Sequence, residues 1–190
     1  MTTVATILAE GFADWETALL NSVARYIGQS TLFVTPGGTP VTSTGGFKVT
    51  PDLALEDLDL DAIDALVVSG GTIWQTEAAP DVSAPIKTAR EKGKVVAGIC
   101  DGTLVLAKAG VLDGVDHTSN GVGYLDGTGY GGAARYRDVP YAVRDGKIVT
   151  ATATAPVSFM AEVLAALGLA DDNLAYYVGM HAAEHSGRPA

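Results

Sequence analysis

Apolar residues fall into two alternating rhythms along this chain. Short β-branched runs at 4–8, 31–35, 65–69 (ALVVS) and 94–99 (KVVAGI) are separated by stretches at 15–26, 85–92 and 103–109, where apolar positions recur at helical spacing. Strand and helix in repetition predict a parallel sheet covered by helices, because parallel strands need a crossover that a helix supplies. The runs at 65–69 and 94–99 show almost no polar alternation, as expected of central strands buried on both faces.

Two segments break the rhythm. Residues 41–53 carry Thr44-Gly45-Gly46-Phe47 between polar and β-branched positions, which predicts a hairpin or excursion at a sheet edge. Residues 120–136 hold six glycines and three tyrosines, the composition of an irregular loop, expected as a rim of the site. Beyond them, 141–144 and 148–152 flank Asp145-Gly146-Lys147 and predict a late antiparallel hairpin. A helix from Pro156 to Leu167, closed by Gly168, and a short one over 172–185 complete the expected order. The resulting fold class is α/β: a three-layer sandwich of a mostly parallel sheet between helices, with a late antiparallel hairpin and one domain over 1–190.

Charge and composition narrow the partners. With 22 acidic against 12 basic residues and a net charge of −10, the chain lacks the basic footprint of a nucleic-acid or anionic-membrane binder. No apolar run is long enough for a membrane span, and the first nine residues lack a signal peptide's basic region, so a cytoplasmic location is expected. The single cysteine, Cys100, excludes an internal disulfide and fits a reducing compartment.

Chemistry gathers at three predicted strand ends. Gly98-Ile99-Cys100-Asp101-Gly102 has the form glycine, any residue, nucleophile, any residue, glycine, directly after a strand and before a helix. Such an elbow projects its nucleophile above the sheet, and the helix start is expected to lower the thiol pKa. Gly70 and Gly71, in Ser69-Gly70-Gly71-Thr72, end the preceding central strand and expose backbone N–H groups. The amides of Gly71 and Asp101 are the candidate oxyanion hole. Asp14-Trp15-Glu16 follows the first strand on the same sheet edge, which makes Glu16 the candidate acidic partner of the thiol; either acid could instead cap the next helix.

At these loops the sequence resembles the ThiJ/PfpI superfamily, with its deglycases, chaperones, hydratases and proteins described as intracellular proteases. The likeness rests on Ala13-Asp14-Trp15-Glu16, Val68-Ser69-Gly70-Gly71, residues 97–102 around Cys100 and the hairpin at 145–151, and it spans nearly the whole chain. It implies a flavodoxin-like sheet, homodimers, Cys100 as nucleophile or oxidisable thiol, Glu16 as its acid, and Gly71 with Asp101 as backbone donors. Asp101 stands where protease-like members carry histidine, which argues against peptidase chemistry. Where other members supply a histidine after the elbow helix, this chain reads His117-Thr118-Ser119-Asn120, and Asn120 aligns nearest that place; Asn120 and His117 are therefore secondary candidates. The glutamine amidotransferases share the fold in outline, but their downstream H-x-E arrangement is absent from the sequence.

His181-Ala182-Ala183-Glu184-His185 matches the zinc pattern H-x-x-E-H, yet no third ligand is evident, so no metal is expected. Three functions follow as expectations. One is a cofactor-free enzyme in which Cys100 adds to a small electrophile such as a 2-oxoaldehyde. Another is an oxidative-stress sensor or chaperone working by oxidation of the same thiol. The third is a noncatalytic binding protein, if Cys100 is merely buried.

Overall fold

The computed structural model describes residues 1–183. In chain order the elements are β1 (Thr3–Ile7), α1 (Asp14–Tyr26), β2 (Ser30–Thr35), β3 (Val41–Thr42), β4 (Lys48–Val49), β5 (Leu53–Ala54), β6 (Ala65–Val68), α2 (Ser83–Glu91), β7 (Val95–Ile99), α3 (Gly102–Lys108), β8 (Val143–Asp145), β9 (Ile148–Ala151), α4 (Pro156–Ala166) and α5 (Asp172–Ala182). Seven strands form one sheet in the order β5-β2-β1-β6-β7-β9-β8, parallel except for the β8–β9 hairpin.

Each central strand feeds two cores by simple alternation. Ala65 and Val67 of β6 join Leu20, Val23, Phe159 and Met160 of α1 and α4 on one face, whereas Leu66 and Val68 join Ile86 and Leu106 of α2 and α3 on the other. Burial of both faces explains the continuous apolar runs in the sequence. Pro156 opens α4 at a position where a missing N–H costs nothing, and Gly168 follows it at φ +77°.

The excursion departs from the edge-hairpin expectation in one respect. β3 and β4 pair antiparallel as a separate two-stranded sheet, and only β5 joins the edge of the main one, parallel to β2. The small sheet is pinned to the loop after β1 instead: Thr44 N donates to Phe12 O and Gly45 N to Asp14 Oδ2, at 2.8 and 2.7 Å. Leu8, Phe12 and Val41 form a small core beneath it.

From β1 the chain moves outward to β2 and β5, then returns to β6 on the other side. The C-terminal ends of β1 and β6 therefore flank a point where the winding reverses, which is where open α/β sheets leave a crevice.

Candidate functional site

Cys100 follows β7 at this edge, and its φ of +55° is the only positive value at a non-glycine among the described residues. Left-handed backbone costs a side-chain-bearing residue about 1 kcal/mol or more and needs surrounding support. That support is visible: Cys100 N donates to Ala151 O at 2.9 Å, while Cys100 O accepts from Thr103 Oγ1 at 2.6 Å. The flanking glycines are sterically required. A Cβ at Gly98 would lie 2.9 Å from Gly102 O, and one at Gly102 would overlap Val68 O.

Glu16 lies in the first turn of α1 and is fully buried. Its Oε2 accepts the Gly70 N–H at 2.8 Å, and its Oε1 has no hydrogen-bond partner. Gly70 holds acid and thiol together, since a Cβ there would overlap Glu16 Oε2 and sit 2.7 Å from Cys100 Cβ. Burial pushes the Glu16 carboxyl up from 4.5 to about 7, against its contacts with the Cys100 thiol and the Gly70 amide. Neither acid caps α1: its N-cap residue, Ala13, makes no side-chain cap, and Asp14 binds the excursion.

The expectation of a lowered thiol pKa is overturned. Burial foremost, with the Glu16 and Asp101 carboxylates adding, pushes Cys100 up to about 12; only the Asn120 donor works in the other direction.

The amides of Gly71 and Asp101 have no intramolecular acceptor among the described residues, whereas the Gly70 amide is committed to Glu16. Asp101 is buried, and its Oδ1 accepts from Gln75 Nε2 at 3.1 Å and from the Tyr124 hydroxyl. Gln75 also reaches the Tyr124 oxygen at 3.2 Å. Burial and the Asp101 carboxylate raise Tyr124 to about 12, which keeps its hydroxyl a donor. Gln75 and Tyr124 escaped the sequence reading. The tyrosines of the glycine-rich segment were the available signal, but nothing in it told Tyr124 from its neighbours.

The two secondary candidates part company. Asn120 Oδ1 accepts the Ala153 N–H at 3.0 Å, which turns Nδ2 toward Cys100 Sγ at 3.4 Å. His117 is completely buried, with Nδ1 at 2.9 Å from Val115 O and Nε2 at 3.3 Å from the Tyr130 hydroxyl. Tyr130 and Tyr136 pack edge-on against its ring. Both ring nitrogens are occupied away from the thiol, so His117 belongs to the packing of the rim. Among the described residues no group of three or more His, Cys, Asp or Glu could hold a metal ion; Glu184 and His185 of the H-x-x-E-H match lie outside them.

A parallel α/β sheet carrying a cysteine at a strained strand-to-helix elbow, with a buried glutamate from the first helix beside it, defines the class. The chain belongs to the DJ-1/PfpI family, whose pattern matches residues 2–166. It is similar to the DJ-1 superfamily protein Atu0886 from Agrobacterium tumefaciens, with 46% identity and a TM-score of 0.92 over 97% of this chain and 100% of that one. The protein named uncharacterized protease YoaZ from Bacillus subtilis is 35% identical over 163 residues, 80% of this chain and 77% of its own length. The protein named deglycase TK1284 from Thermococcus kodakarensis is 34% identical over 112 residues, 58% of this chain and 68% of its own length. No helix among the described residues is long and apolar enough to cross a membrane.

Proposed function

We propose that the protein is a cysteine-dependent enzyme acting on a small carbon electrophile, glyoxalase- or deglycase-like in outcome, with Cys100 as nucleophile and Glu16 as the group that moves protons. The observation that carries this reading is the buried Glu16 carboxyl beside the thiol, held near 7 and therefore able to take or give a proton at neutral pH. Because the thiol itself is hard to ionise, it loses its proton to the Glu16 carboxylate as it attacks, without first resting as a thiolate.

With a 2-oxoaldehyde the S–C bond forms as the carbonyl π pair moves onto oxygen, and the Gly71 and Asp101 amides receive that oxyanion. Glu16 hands the thiol's proton to that oxygen, giving a hemithioacetal, and, a carboxylate again, carries a proton between the adjacent carbons through an enediol, which oxidises one carbon while reducing its neighbour. Water cleaves the resulting thioester to a 2-hydroxy acid and frees the thiol. No external oxidant enters. The deglycase name of a relative 34% identical over 112 residues supports this chemistry.

Consumption of methylglyoxal tests the reading. Cys100→Ser is expected to lose at least about a hundredfold in rate, and Glu16→Gln to lose rate while leaving the thiol open to alkylation. Full turnover in Cys100→Ser would end it. A second reading, an oxidation sensor, draws on the N–H of Asn120 directed at Sγ, a donor for the oxygens of a sulfinic acid formed by two equivalents of peroxide. Stoichiometric oxidation of Cys100, with no turnover of any small electrophile, favours that alternative.

A further inference from the structure

We infer that this site selects uncharged electrophiles over carboxylate-bearing ones, and that the remote end of the substrate lies in the cavity that Asn120 lines beside the thiol. The inference rests on the cysteine reading above and adds the substrate class. The cavity measures about 370 Å³, and its walls include Asn120, Asp138, Pro140, Thr152 and Thr154. Asn120 is the shared wall: one end of its carboxamide is fixed by Ala153 N–H, and the other touches Cys100 Sγ at 3.4 Å.

The walls contain no Lys or Arg. Asp138 is exposed and presents its carboxylate with no hydrogen bond or ion pair to another described residue. Around the sulfur stand two further acids, Glu16 and Asp101, both buried and neither ion-paired. The arginines closest in sequence to the cavity wall are engaged elsewhere: Arg135 and Arg137 with Asp116, and Arg144 with Glu162. A carboxylate entering here meets acidic side chains and finds no Lys or Arg to offset its desolvation. An uncharged group bearing O–H or N–H can instead donate to Asp138 and exchange hydrogen bonds with the Thr152 and Thr154 hydroxyls. The volume lies at the small end of ligand sites, which suits a substrate of few atoms.

Two alkylating reagents that differ only in charge provide the test. Iodoacetamide and iodoacetate both lose iodide to the attacking sulfur, so their rates at Cys100, followed by mass spectrometry, are compared with their rates on 2-mercaptoethanol. The amide-to-acid rate ratio is expected to exceed that of the free thiol by roughly tenfold and to shrink at high ionic strength. Asp138→Asn is expected to narrow it by about threefold. A ratio equal to that of the free thiol overturns the inference while leaving Cys100 a reactive residue. Selectivity that is unchanged in Asp138→Asn removes the cavity from the assignment. Alkylation by neither reagent, in protein whose thiol reacts once unfolded, defeats the cysteine reading and this one together.

Discussion

Two buried polar clusters of this molecule are built in opposite ways. Around His117 every polar atom of the ring is matched: a carbonyl at one nitrogen, a tyrosine hydroxyl at the other, and two aromatic rings against its faces. Around Cys100 the matching is incomplete. Glu16 Oε1 and Ser69 Oγ are buried without partners, and the Gly71 and Asp101 amides have none among the described residues. Each of the two buried side-chain oxygens left so costs the folded state about 1–3 kcal/mol. A saturated cluster holds a fold together, whereas an unsaturated one at a crevice keeps its bonding capacity for something that arrives later.

The hardest blow to the contrast comes from Gly70→Ala. The added methyl overlaps the Glu16 carboxyl and presses on Cys100 Cβ, so it is expected to cost about 3 kcal/mol of stability and to abolish the contact between acid and thiol. Urea unfolding reads the first effect and Cys100 alkylation the second; a variant with wild-type values in both would mean that the close approach has no consequence.

His117→Ala is expected to lower stability by about 2 kcal/mol through a cavity and two orphaned partners, while the alkylation rate of Cys100 stays within about twofold. Loss of reactivity at intact stability would instead make His117 part of the chemistry and dissolve the distinction.

Glu16→Gln gives the finest test, through pH. The folded-state pKa of Glu16 is raised from 4.5 to about 7, so the folded state binds this proton more tightly than the unfolded chain does. Its proton-linked stability is present below pH 4.5 and is lost as pH rises through 7, by about 3 kcal/mol in all. Glu16→Gln is expected to flatten that slope and to be the more stable protein at pH 8, by thermal or urea unfolding. An unchanged slope would assign the pH dependence to other groups.

Much of this was legible from residues alone. Continuous apolar runs marked β6 and β7 because both faces of those strands are buried, and the glycine spacing around Cys100 marked the elbow because two close backbone approaches exclude any Cβ there. Glu16 was reached by its place after the first strand and by family likeness. What stayed hidden depends on long-range placement. The link from Gln75 through Tyr124 to Asp101 joins three separate loops, and no local pattern encodes it. The direction of the thiol pKa was misjudged for the same reason: the elbow is local, but the burial and the two acids that outweigh it are tertiary.

The left-handed backbone at Cys100 also separates shape from chemistry. Glycine would occupy φ +55° without penalty, so this position favours glycine whenever its side chain has no task. Cysteine thus stands at position 100 against the preference of its own backbone, and the conformation is held by the surrounding chain and not by the residue. A Cys100→Gly chain would keep the elbow and lose only the thiol side chain, which makes the bend a property of the backbone and the chemistry a property of one side chain.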